Sequence, residues 1–194
     1  MPLLLSLLAA KGLGALVGSL LLAARPVPGF TPPTVSPYRD SVRFETVLTR
    51  GFNRQLDQIL ESGSLVAVGY TVTLALREPV AGSLSESRVE FFHSTMYDPL
   101  TRTWSVFRSE LAGTPDTLVP GLNLRQAKEL LCRVSLALAP TDPLPRTYEH
   151  SCRIKAALNT IKLEAVDDRE LDLNVFWNYH YPRATTAWAR VNRP

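Results

Sequence analysis

The sequence predicts an α+β fold: an antiparallel, β-rich, sandwich-like sheet with two short amphipathic helices. Three observations predict it. Between Ser64 and Arg77 the even positions Val66, Val68, Tyr70, Val72, Leu74 and Leu76 are large and apolar, while the odd positions Ala67, Gly69, Thr71, Thr73 and Ala75 are small. That is the period of a pleated strand. Tyr148 to Leu158 alternates in the same way, with Tyr148, His150, Cys152, Ile154, Ala156 and Leu158 on one face. Two segments instead space their apolar residues as helices do. The first carries Phe52, Leu56, Ile59 and Leu60, and the second Leu124, Ala127, Leu130, Leu131 and Val134.

In chain order, residues 25–40 carry Pro26, Pro28, Pro32, Pro33 and Pro37, which predicts an extended linker without sheet structure. Val42 to Leu48 alternates and predicts a first strand. Phe52 to Ser62 predicts a helix stopped by Gly63. After the Ser64–Arg77 strand, Glu78 to Glu86 reads as a loop. Arg88 to Tyr97 reads as a central strand covered on both faces, because Phe91 and Phe92 point opposite ways. Asp98-Pro99 makes a turn, and Thr103 to Arg108 returns as a strand. Ala112 to Gly121 reads as a loop. Asn123 and Gln126 supply a capping box for the second helix, and Leu136 and Leu138 begin a short strand. The domain is expected to span residues 41–182, with 183–194 as a tail.

The chain has 194 residues, 45% apolar and 20% charged, with a formal charge of +3. That composition belongs to a folded domain with a sizeable core. The basic residues are dispersed and form no stripe, so nucleic acid is not an expected partner. Residues 1–24 hold one charge, Lys11. Lys11 followed by the apolar run Gly12–Ala24 predicts a secretory signal peptide, or a membrane anchor if it is retained. Either places the domain outside the cytoplasm, periplasmic or anchored facing the periplasm, with a tether through residues 3–24. Gly12, Gly14 and Gly18 do not match a dinucleotide fingerprint.

Several residue groups have the composition of sites. Cys132 and Cys152 are the two cysteines. In an exported chain they could close a loop of about 20 residues, worth about 3 kcal/mol, or stand as two free thiols. His150 and Cys152 share a strand face and could begin a metal or thiolate site. No further ligand stands at a suitable spacing, so no metal or cofactor is expected. His93 and Ser94 point to opposite faces and make no catalytic pair. A hydrolase using His93 or His150 is the minor reading, and the chain is expected not to be an enzyme. Asp167, Asp168, Glu170 and Asp172 form an acidic cluster without a calcium-loop frame. The run Phe176 to Pro182 could place Trp177, Tyr179, His180 and Tyr181 on an interaction surface. Alternatively Trp177, Tyr179 and Tyr181 pack inward while Phe176, Asn178 and His180 face out. The small face of the long strand, Ala67, Gly69, Thr71, Thr73 and Ala75, is a candidate groove.

The runs LTRGFNRQLDQILESGSLVAVGYTVTLALRE, YDPLTRTWSV, NLRQAKELL and YEHSCRIKAAL, in that order, resemble bacterial exported proteins of domain-of-unknown-function family 4390. The closing FWNYHYP is similar to the spirochaete branch. The resemblance covers residues 46–182. It implies an envelope protein and supplies no catalytic residues. The expected function is a non-enzymatic periplasmic interaction or structural module with an envelope or membrane protein partner. A module for a lipid or another small apolar ligand is the alternative.

Overall fold

The computed structural model describes residues 27–38, 41–79, 82, 84–109, 116–138, 147–163 and 169–192. The leader, residues 1–24, lies outside them, as do Asp167 and Asp168. Among the described residues there are thirteen strands: β1 (Gly29–Phe30), β2 (Thr34–Tyr38), β3 (Ser41–Thr49), β4 (Val66–Arg77), β5 (Leu84–Asp98), β6 (Thr103–Ser109), β7 (Thr117–Leu122), β8 (Arg133–Leu138), β9 (Thr147–Leu158), β10 (Thr160–Leu163), β11 (Arg169–Asp172), β12 (Arg183–Thr185) and β13 (Ala189–Asn192). The two helices are α1 (Arg54–Glu61) and α2 (Leu124–Cys132). All strand pairings are antiparallel.

The large sheet has seven strands in the order β12-β9-β4-β5-β6-β7, with β13 also on β9. The small sheet runs β1-β3-β2, and β8 pairs with the other side of β3. The alternation of β4 sorts its side chains as expected. All six even residues are buried, and the odd residues from Ala67 to Ala75 are half-buried. The even face joins one core with Val42, Phe44 and Leu48 of β3, Val134 and Leu138 of β8, Leu56 and Leu60 of α1, and the inward residues of β9. Helix α2 packs Ala127 and Leu131 on Val106 of β6. The small sheet and the two helices thus meet on the inner face of the large sheet, β10 and β11 form a separate two-stranded sheet, and the described residues put nothing comparable on the large sheet's outer face.

Both helix starts are fixed by asparagines. Asn53 accepts bonds from the amides of Gln55 and Leu56 at 3.0 Å each. Asn123 and Gln126 form the expected capping box. The first helix therefore begins at Arg54 and not at Phe52, because Asn53 is its N-cap. Gly63, at φ +87°, ends it in the left-handed region.

Five expectations need correction. Residues 29–30 and 34–38 are strands of the small sheet, not a bare linker. Pro37 is tolerated because β2 is an edge strand, where a missing amide donor costs no ladder bond. Residues 84–86 extend β5 and are not loop. Residues 117–122 form β7, whose Pro120 and Gly121 disguise a bulged edge strand. Residues 183–185 and 189–192 are not a free tail, because they pair with β9. β5 is central in the sheet but covered on one face alone: Phe91 is buried, while Phe92 is 43% and Met96 52% exposed.

Candidate interaction face and buried polar groups

The register of the large sheet determines what its outer face presents. Leu118 lies opposite Phe107, Phe107 opposite Ser94 and Met96 opposite Ser105. Phe92 lies opposite Gly69, and Gly69 opposite Ala157. Phe92 and Phe107 stack diagonally with ring centroids 5.7 Å apart. These residues make an apolar band across five strands, β7 to β9, about 19 Å wide at the usual strand spacing. Leu118 at 64% and Met96 at 52% are its most exposed members.

Within this band lies a depression of 380 Å³ lined by Gly69, Thr71, Glu90, Phe92, Lys155 and Ala157. A Cβ on Gly69 would meet nothing closer than the Ala157 carbonyl at 3.8 Å. The missing side chain therefore leaves open volume where a larger residue would fit. Of the candidate groove residues, Gly69 and Thr71 line this depression directly, and Ala67, Thr73 and Ala75 continue the same face. Beside the band, Arg153, Lys155 and Arg183 are exposed. Arg183 lies opposite Lys155 in register, and the Lys155 ammonium sits 4.8 Å from the Tyr181 ring. None of the three cations has an ion-pair partner among the described residues.

The aromatic run near the C-terminus is not a strand. Leu173–Trp177 forms a 3-10 turn, and Asn178 and Tyr179 follow at φ +50° and +54°. This breaks the alternation expected from the sequence. Trp177 is buried and donates from Nε1 to the Gly51 carbonyl at 2.7 Å, so it belongs to the core and not to an interaction surface. Tyr179 is 56% exposed, His180 is exposed, and Tyr181 is half-buried under Lys155. Asp172 caps the 3-10 turn and bonds the Asn174 amide group, while Glu170 sits in the β10–β11 hairpin. The described half of the acidic cluster is thus structural.

His93 is fully buried beneath α2. Its Nδ1 lies 3.0 Å from the Leu131 carbonyl, which also accepts from the Tyr70 hydroxyl at 2.7 Å. Its Nε2 accepts from Arg108 Nε at 3.3 Å. Burial lowers the imidazole pKa to about 4, and the Arg108 charge pushes the same way against the carbonyl's opposite pull. His93 is therefore neutral, with both nitrogens engaged. His150 is also buried, and burial lowers its pKa, but neither ring nitrogen has a hydrogen-bond partner among the described residues.

Both cysteines are free thiols, so the bridge considered from sequence is not formed. Leu131, next to Cys132, meets Tyr70, whereas Cys152 lies opposite Leu74. The four-residue step from Tyr70 to Leu74 spans roughly 13 Å of strand, too far for disulfide geometry. Burial pushes each thiol up to about 12, which keeps both protonated. Among the described residues no three His, Cys, Asp or Glu side chains converge as metal ligands. None of the described helices is long and apolar enough to cross a membrane.

Comparison with family models, with curated proteins and with solved structures returned no match to this chain.

Proposed function

We propose that this chain is an exported envelope protein, akin to domain-of-unknown-function family 4390, that acts as a non-enzymatic interaction module. Its partner is an envelope or membrane protein, and it docks on the outer face of the large sheet. One observation carries the reading: no described residue covers the apolar band from Leu118 to Ala157, and beside it Arg153, Lys155 and Arg183 have no ion-pair partner among the described residues. Contiguous exposed apolar surface rimmed by charge is a common property of docking sites. The matching partner segment is an amphipathic helix or strand with an apolar ridge and an acidic flank.

The leader supports export, with Lys11 ahead of the apolar run Gly12–Ala24. Cell fractionation with mass spectrometry of the mature N-terminus tests that part. A photo-crosslinking residue at Met96, used in intact cells, tests the docking face, with Arg43 on the small sheet as control. A discrete adduct from Met96 that Phe92→Asp abolishes supports the reading. Equal labelling from both positions, or none from Met96, sinks it.

The alternative, a small apolar ligand on this face, is favoured by the depression at Gly69 alone. Gly69→Leu fills that space. It would remove ligand binding and leave the Met96 adduct in place if a ligand and a protein use separate parts of the face.

A further inference from the structure

A second opening lies away from the sheet face, where the end of β3, the turn Arg50–Phe52 and α2 meet. It is a shallow cleft, largely open to solvent, of 560 Å³, a volume within the usual range for small-molecule sites. Val47, Leu48, Phe52, Leu124 and Cys132 supply an apolar wall. Arg50, Arg125, Lys128 and Glu129 stand around it, three cations against one carboxylate.

The cations are not equally free. Lys128 lies 2.5 Å from Asp57 on α1. Arg125 faces Glu129 only at 3.9 Å, and both are well exposed, a pairing that water screens almost completely. Arg50 has no ion pair among the described residues. Its backbone sits at φ +57°, a conformation uncommon for a side-chain-bearing residue. Gly51 next to it packs so closely on Leu48 that an added Cβ would lie 2.8 Å from Cδ2. The turn is therefore held tightly while it carries a left-handed arginine at the mouth of an apolar cleft. Held strain of this kind gathers at ligand sites.

We propose that this cleft binds the anion of a free medium-chain fatty acid, with its alkyl chain along Phe52 and Leu124 and its carboxylate between Arg50 and Arg125. Guanidinium groups suit a carboxylate because their paired N–H donors match its two oxygens. The Cys132 thiol, protonated at neutral pH, adds to the apolar wall and offers no nucleophile. The cleft is separate from the sheet face, so the proposal stands independently of the docking reading.

Calorimetric titration of the full-length protein with decanoate, decanol and vesicles of anionic phospholipid tests it. Decanoate is expected to bind saturably at one site, at least tenfold more tightly than decanol. The double substitution Arg50→Glu with Arg125→Glu touches exposed side chains and should weaken decanoate at least tenfold. Leu124→Trp, which fills the cleft, should abolish binding while far-UV circular dichroism stays native. Equal affinity for decanoate and decanol overturns the proposal. So does unchanged decanoate binding in either variant, or binding to the vesicles without binding to decanoate.

Discussion

The Leu131 carbonyl shows how single residues in this core are constrained. It ends α2 between two donors, the Tyr70 hydroxyl and the His93 ring. Tyr70→Phe should cost about 1 kcal/mol in urea unfolding, since the carbonyl keeps the histidine as a partner. His93→Leu should cost more, because Arg108 loses the acceptor for its Nε. The same histidine sets a pH dependence. Its folded pKa, about 4, lies below the ordinary value of 6.5. Between those values the unfolded chain takes up a proton that the folded protein excludes. The stabilisation is therefore complete above pH 6.5 and is lost progressively as the pH falls toward 4, by about 3 kcal/mol in total. His150 acts in the same direction. Unfolding curves for wild type and His93→Gln across that range should diverge, with the variant falling less steeply on the acid side. Parallel curves would show that His93 titrates normally. Trp177 is another constrained residue, and Trp177→Phe should cost about 1–3 kcal/mol by leaving the Gly51 carbonyl without its indole donor.

At the level of elements, the two helix caps differ in consequence. Asn123→Ala removes one capping box, worth about 1 kcal/mol. Asn53→Ala removes the cap of α1 and also the bond from Nδ2 to the Phe176 carbonyl at 3.2 Å. It should therefore destabilise more than Asn123→Ala in the same melt, and the reverse order would mean the long-range bond is inert. Elements with a long period of their own were legible in the sequence. β4 and β9 alternate over a dozen residues each, and the six buried residues of β4 are the six its pattern marks. Short edge elements were not legible. β2 hides behind Pro37, and β7 behind Pro120 and Gly121. β12 has three residues, too few to show a period. Their strand state comes from a neighbour's free edge, which local composition does not record. Asn174 is a similar case. Its side chain bonds both the amide and the carbonyl of Leu158, at 2.9 and 2.8 Å, acting as a strand partner would. No spacing rule in the sequence singles it out. The small outer face of β4, to which Gly69 and Thr71 of the depression belong, was legible because small residues alternate with large ones. The cleft beside α2 was not, because its walls come from residues far apart in sequence.

For the whole molecule, the asymmetry of the large sheet matters most. Its inner face buries the core, while its outer face keeps Phe92, Met96 and Leu118 in water. Phe92→Asp and Met96→Asp should change stability by less than about 0.5 kcal/mol, as substitutions on exposed positions do. Phe92→Asp should also abolish the crosslink from Met96. A large loss of stability would instead mark the band as part of the core. The pairing of β4 also bears on how fast the molecule forms. Its partner β5 follows directly in the chain, whereas β9 joins it through contacts such as Val68 with Leu158, ninety positions apart (158 − 68). Contacts so distant in sequence form slowly, on the order of milliseconds to seconds in sheet-rich domains. The β4–β5 hairpin can form early, but the core closes only when the last third of the chain arrives. Until β9 pairs with β4, the apolar even face of β4 stands open to any other strand or apolar segment that reaches it first.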